Sequence, residues 1–383
     1  MTERVAANGT VHWVGAGLST GSGLAALCAR AERVLLWHRT EERAAGALER
    51  LGLTGRAEPR PYTRNALTAA LAPGDVVVSM LPAPEHPALL AACVARQAHF
   101  ACSSYVSEAV LEQVPEAEKA GLVVLTEAGL DPGIDHLFAH SLVARARTAI
   151  GDTTSAAYRL TSYCGGVPAV PNDFRYRFSW APLGVLNALR SPARYLEGGS
   201  ETTAERPWEA TREHLVDGER FEAYPNRDSV PFIEQYELPD AWRPVDFVRG
   251  TLRLDGWLRA WQPVFDELRT GDDVRIAALA GELAAAHPTT DADRDRVVLA
   301  VSLAVRADNG EAWEGGYSLD LIGDEEESAM ARCVSRPLAL GVRHILDGDL
   351  PAGLNRAAGT AARSEEWLAE LAEEGVHFTV HTM

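Results

Sequence analysis

Lysine is almost missing from this chain. Of 36 basic residues only Lys119 is a lysine. Catalysis through a lysine Schiff base and the Walker phosphate loop both need a lysine in a defined setting. Lys119 lies in the polar stretch Glu116-Ala-Glu-Lys-Ala-Gly121, which resembles neither. Surplus positive charge is missing too, since the formal net charge is −18. A protein that grips nucleic acid by neutralising phosphates, or docks on anionic lipid, carries the opposite balance. No apolar run reaches the length of about 18 residues that a membrane-spanning helix needs. The N-terminal Met1–Thr10 has no apolar core of the secretory kind. Cysteine is sparse: Cys28, Cys93, Cys102, Cys164 and Cys333 are odd in number, scattered, and form no CxxC. That excludes a disulfide framework and a zinc motif, and fits a reducing cytoplasm.

What is present is ordinary globular composition, 383 residues with 46% hydrophobic and 23% charged. Such a length predicts two or three domains. Residues 1–132 alternate short apolar strands with helices of about a dozen residues, which predicts right-handed βαβ crossovers and a doubly wound parallel sheet of the Rossmann type. From Tyr158 onward the strands lengthen and aromatics accumulate. The expectation is a mixed α/β domain from 133–240 and 296–349, a helical insertion over 241–295, and a C-terminal segment from about 350–383 that packs back on the first domain.

The first strand, Val11–Val14, runs into Gly15-Ala16-Gly17-Leu18-Ser19-Thr20-Gly21. Paired glycines at a first strand-to-helix turn allow close approach of a pyrophosphate, and the helix N-terminus offers it free N–H groups. The third glycine of the strict pattern would fall at Thr20, and Gly21 comes one residue late. The same letters spell GxSxG, the nucleophile elbow, but Ser19 sits inside the phosphate loop and no oxyanion loop accompanies it. The second strand ends His38-Arg39-Thr40, where an NAD enzyme would place Asp or Glu. A guanidinium there suits the 2′-phosphate of NADP. Ser79 and Leu81, after the strand Asp75–Ser79, complete the expected cofactor set.

Three later blocks are hard to explain as core: Ser162-Tyr-Cys-Gly-Gly166, Tyr224-Pro-Asn-Arg-Asp-Ser229 and Arg249-Gly-Thr-Leu-Arg253. With Glu127–His136, Phe178-Ser-Trp180, Trp257 and Ser328-Ala-Met-Ala-Arg332, they occur in the order seen in saccharopine reductases, the glutamate-forming saccharopine dehydrogenases, which the chain resembles over nearly its whole length. The resemblance implies a homodimeric, NADP-linked carbon–nitrogen oxidoreductase of lysine metabolism. Its reaction reduces the imine of glutamate and α-aminoadipate semialdehyde, or the reverse. Carried over by motif, Ala16–Ser19 and His38–Thr40 meet the cofactor. Ser104, Tyr105, Asp131, Arg227, Thr251, Leu252 and Arg253 meet the substrate, and Cys164 lies near the site.

The residue chemistry supports this. Saccharopine carries three carboxylates, so a protein this acidic holds it only in a local cationic pocket. Arg227 and Arg253 can each clamp a carboxylate, with charge-assisted bonds of roughly 1.5–3 kcal/mol. Asp131, just past a strand's carboxyl end, is the best-placed general base or ammonium partner, with the substrate amine as the alternative proton acceptor. The duller readings are a turn for Asp131, a pair with Asp228 for Arg227, and a small buried residue for Cys164. His136 and His140 lie four apart but lack a third ligand, so they read as packing residues rather than metal ligands. Three stretches depart from the family: the short segment Val167–Asn172, Leu254-Asp255, and Cys333-Val-Ser-Arg336-Pro337, where Arg336 adds a charge. Two other functions stay open. A polyamine-derived imine of the carboxynorspermidine kind would favour an acidic pocket, and a non-catalytic Rossmann binding protein would have lost the substrate arginines.

Overall fold

A computed structural model describes residues 4–179, 181–287, 293–357 and 359–382. Trp180 of the Phe178-Ser-Trp motif and part of the expected insertion, 288–292, fall outside the described residues. The chain divides into two units, 1–137 with 331–375, and 138–330 with 376–383.

The first unit is built on a seven-stranded parallel sheet. Its strands are β1 (Thr10–Val14), β2 (Arg33–His38), β3 (Glu58–Pro61), β4 (Val76–Ser79), β5 (His99–Cys102), β6 (Val123–Thr126) and β15 (Gly353–Arg356). The order β15-β6-β5-β4-β1-β2-β3 reverses direction at β1 and β4. In doubly wound sheets this switch point is where ligands bind, outside the carboxyl ends of the strands. β4, β5 and β6 are buried along their whole lengths, as unbroken apolar runs in a parallel sheet require. Val14, Leu35, Trp37, Val77, Phe100 and Val124 form one core with the helix residues Leu89, Leu90 and Cys93. Helix α1 (Ser22–Arg30) follows β1, and α2 (Glu41–Arg50) follows β2.

The second unit carries a nine-stranded mixed sheet. It comprises β7 (Ala156–Pro168), β8 (Ala193–Glu197), β9 (Ser200–Ala204), β10 (Arg212–Val216), β11 (Glu219–Pro225), β12 (Trp242–Leu254), β13 (Asp295–Ala307), β14 (Ala312–Ile322) and β16 (Thr379–Thr382). The main path is β10-β11-β12-β7-β13-β14-β16, with β12 and β7 parallel and the other neighbours antiparallel.

Side chains alternate across a strand, so register sorts the motifs onto two faces. Thr251 pairs with Cys164, Arg249 with Ser162 and Tyr224 with Thr251. These residues, with Arg253 and Gly166, share one face. The other face holds the apolar cluster Val167, Phe221, Ala223, Leu252, Leu254 and Val298. A second, aromatic cluster joins Phe174, Tyr176, Phe178, Tyr224, Trp257, Trp261 and Phe265.

Three stretches differ from the sequence expectation. Residues 331–349, expected in the mixed domain, group with the first unit. Helices occupy Trp257–Ala260, Gln262–Thr270 and Asp273–Ala286, but 242–254, read as part of a helical insertion, is the thirteen-residue strand β12. Its charged residues Arg243, Asp246, Arg249 and Arg253 recur every three or four positions, a spacing that imitates one face of a helix. The C-terminal segment also splits. β15 joins the first sheet, whereas β16 pairs with β14. The ring of Phe378 packs 5.3 Å from Phe138 and 5.7 Å from Tyr317, which anchors that last stretch in the second unit.

Candidate functional site

The expected cofactor residues gather at the carboxyl ends of β1, β2 and β4. Gly15 has φ +104°, and its N–H donates to the Trp37 carbonyl at 2.9 Å. Gly17 and Leu18 are exposed, while Ala16 and Ser19 are half-buried. Thr20, in place of the third glycine, is buried, and its hydroxyl donates to the Gly15 carbonyl at 3.3 Å and accepts from the Trp13 indole at 3.4 Å. It locks the loop from inside. The close-packing glycine is Gly23, where a Cβ would lie 2.0 Å from the Ser335 carbonyl. There the helix Ala329–Asp347 supplies two contacts that no sequence motif indicates. The Ser335 hydroxyl accepts from Gly23 N–H at 3.0 Å, and Arg336 Nε donates to the Ser22 hydroxyl at 2.7 Å. Arg336 also reaches Glu374, which Arg343 shares.

The end of β2 is cationic. Burial lowers the His38 pKa first, and then the charges of Arg39, Arg43 and Arg50 lower it further. Arg39 is exposed and has no acidic partner among the described residues. Thr40 caps α2, its hydroxyl accepting from Arg43 N–H at 3.3 Å. Ser79 is buried and accepts from Leu81 N–H at 3.4 Å. The loop, the helix terminus without acidic residues in its first turn, and this cluster suit a dinucleotide with an extra phosphate.

A second cluster lies past β5 and β6 in the same unit. Tyr105 donates to Asp131 Oδ1 at 2.6 Å, and the Ser104 carbonyl accepts from Glu127 N–H at 3.0 Å. The structure thus brings the expected Tyr105 and Asp131 together. Beneath them Glu127, 2% exposed, lies 3.2 Å from His136 Nε2 and 3.3 Å from Arg356 Nε. Burial pushes its carboxyl up, but the hydrogen bond and charge of His136 and the charge of Arg356 outweigh that and hold it at about 2. His136 is fully buried, with its ring directly beside this carboxylate. His140 instead meets the Tyr236 ring edge-on at 5.6 Å.

In the second unit Arg253 is 5% exposed. Its guanidinium carbon lies 4.8 Å from the Tyr176 ring, 5.4 Å from Tyr224 and 5.5 Å from Trp257. One N–H donates to the Leu252 carbonyl at 3.0 Å, and its Nε is buried without a hydrogen-bond partner among the described residues. The acid opposite it in register, Glu222, is occupied by the N–H groups of Gly256 and Leu258 at 3.0 and 2.7 Å. Cys164 and Thr251 flank Arg253 on the same face, and Cys164 is buried. The side chain of Leu252 points to the other face, into the apolar cluster, so only its backbone faces the arginine side. Arg227 is exposed with φ +60°. Asp228 pairs with Arg194 at 2.8 Å. Tyr176 and Trp257 line the Arg253 guanidinium, and neither is among the residues expected there from the sequence. The signal was present in the aromatic spacing 174/176/178 and in the tryptophan closing the Arg249 block.

Known proteins share these outlines. Residues 11–125 match the family model of the saccharopine dehydrogenase NADP binding domain, and residues 129–376 match the saccharopine dehydrogenase C-terminal domain. Saccharopine dehydrogenase [NADP(+), L-glutamate-forming] of Saccharomyces cerevisiae is 40% identical over 199 residues, 50% of this chain and 43% of that protein. The Pyricularia oryzae protein of the same name is 39% identical over 198 residues, 50% of this chain and 42% of its own length. The matched stretches thus span less than half of these relatives. The bovine mitochondrial alpha-aminoadipic semialdehyde synthase is 28% identical over 360 residues, 75% of this chain and 38% of that protein. Among solved structures, apo saccharopine dehydrogenase (L-Glu forming) from Saccharomyces cerevisiae superimposes with a TM-score of 0.82 at 25% identity, covering 98% of this chain and 99% of that one. With family models covering both halves, the chain belongs to the saccharopine dehydrogenase family.

Proposed function

We propose that the chain is an NADP-linked oxidoreductase of the saccharopine type, joining L-glutamate and α-aminoadipate semialdehyde through reduction of their imine, or running that step in reverse. The observation that carries the reading is Arg253. A guanidinium buried to 5% exposure, in a protein with 54 acidic residues, has no carboxylate partner among the described residues. Leaving such a charge uncompensated is costly, and a carboxylate-bearing ligand removes the cost.

The cofactor, when bound, supplies the hydride. The chain's residues then have separable tasks. The Gly15–Gly21 loop and the first turn of α1 hold the pyrophosphate, and Arg39 with Arg43 holds the 2′-phosphate. Asp131, whose carboxylate accepts from Tyr105 at 2.6 Å, takes and returns the proton that imine formation moves. Arg253, Thr251 and Arg227 fix the carboxylates, and Cys164 lines the same face as Thr251. Two subunits form the working protein in this reading, in the cytoplasm. No described helix is long and apolar enough to cross a membrane.

The deciding assay mixes purified protein, NADPH, L-glutamate and α-aminoadipate semialdehyde and follows absorbance of the reduced cofactor. Oxidation that requires both carbon substrates is expected. No oxidation from mildly acidic to mildly basic pH, and none of the reverse reaction with saccharopine and NADP, would defeat the proposal.

A further inference from the structure

Gly166 sits on the arginine-bearing face of β7, two residues past Cys164. A Cβ built there would lie 2.8 Å from the Ser179 hydroxyl and 2.8 Å from Met330 Cε, so Ser179 covers this strand position and glycine leaves room for it. The parallel pairing Thr251 with Cys164, continued by two residues, sets Arg253 beside Gly166, with neighbouring strands about 4.8 Å apart. Ser179 therefore covers the strand position beside the backbone of Arg253, on the face that Arg253 shares. The connecting residues agree, because Tyr176, three before Ser179, is the ring 4.8 Å from the Arg253 guanidinium.

Ser179 is 8% exposed, and its hydroxyl is buried with no hydrogen-bond partner among the described residues. The same holds for Arg253 Nε, at 5% exposure. A buried hydroxyl without a partner is destabilising, and native interiors keep few of them. Two such donors on one sheet face, one of them cationic, are the complement of one carboxylate. We propose that Ser179 is a further substrate-positioning residue, donating its hydroxyl hydrogen to the carboxylate that Arg253 binds. This rests on the amino-acid substrate class proposed above and adds to it a specific hydrogen-bond donor.

The test uses the full chain. L-glutamate binding is measured by calorimetry with NADPH present, and saccharopine turnover is measured separately with NADP+ as the hydride acceptor. Ser179→Ala should weaken L-glutamate about tenfold, the scale of one hydrogen bond to a charged group. It should raise the saccharopine KM by a similar factor, with kcat and the NADPH Kd changing less than about twofold. Ser179→Thr keeps the hydroxyl and should recover most of the loss, which a purely structural role would not allow. Gly166→Ala, which crowds the hydroxyl, should reproduce the KM effect. Unchanged glutamate binding and KM in Ser179→Ala, with the native chain active, would overturn this inference and leave the function standing. A native chain that binds glutamate but does not turn over saccharopine would overturn the function alone. A native chain that binds no L-glutamate would overturn both.

Discussion

The buried charges of the two sheets are satisfied in different ways. In the parallel sheet each principal buried acid meets opposite charge or its hydrogen-bonding equivalent. Asp75 lies 2.9 Å from His12, and Glu127 lies within 3.3 Å of both His136 and Arg356. In the mixed sheet the buried Arg253 meets three aromatic rings in place of a carboxylate. Rings attract a cation by about 0.5–2 kcal/mol, less than burial of an unpaired charge costs. The buried acids of the first region thus meet basic groups within their own unit, while the second holds a buried cation with no carboxylate beside it among the described residues.

The largest expected effect breaks the contrast at Arg253. Arg253→Leu should lower kcat/KM for saccharopine about a hundredfold or more, because a buried charge-assisted clamp is lost. The same variant should bind NADPH within about twofold of the native affinity and keep or raise its melting temperature. A lower melting temperature would show that the guanidinium is satisfied by its rings alone.

The opposite outcome is expected in the parallel sheet. Glu127 has its folded pKa lowered to about 2, below the ordinary carboxylate value. Its contribution, on the order of 3 kcal/mol by linkage, is present above the unfolded pKa of about 4.3 and is lost as pH falls towards 2. Glu127→Gln should therefore lower stability at neutral pH, and the gap to the native chain should close in acid. Urea titrations at neutral pH and near pH 3 check this, and a gap that widens in acid would contradict it.

Most of this contrast is legible in the order of the amino acids alone. The alternating apolar runs announce the parallel sheet, because strands buried on both faces cannot be polar. The glycine loop and Arg39 mark the proposed cofactor end, and motif order names Tyr105 and Asp131, which the fold joins by a hydrogen bond. Three things are hidden for physical reasons. β12 carries a charge at every third or fourth position, so its pattern looks helical. Leu252 lies between two site residues, yet a strand turns it to the other face. Ser335 and Arg336 act 312 and 314 residues from their partners Gly23 and Ser22, a separation that no local pattern reports.

Two smaller effects sharpen the contrast within the first region. Arg39→Asp should weaken NADPH about tenfold while NADH changes much less, since a carboxylate repels the 2′-phosphate and can hold a ribose hydroxyl. Equal effects on the two would refute the assignment. Arg336→Leu should weaken NADPH and NADH alike by about threefold, the scale of one partly exposed charge near a helix end. It should leave adenosine 2′-monophosphate unaffected, because that probe lacks the pyrophosphate. Fluorescence titration of each compound reads both outcomes.

The stacked arrangement of Trp257, 5.5 Å from the guanidinium carbon of Arg253 and 5.2 Å from the ring of Tyr224, gives the second unit a built-in optical gauge. An indole so close to a positive charge emits at a wavelength tuned by the field of that charge. Neutralising the cation shifts the colour and yield of the emitted light. Occupancy could thus be followed in the native protein with no label attached.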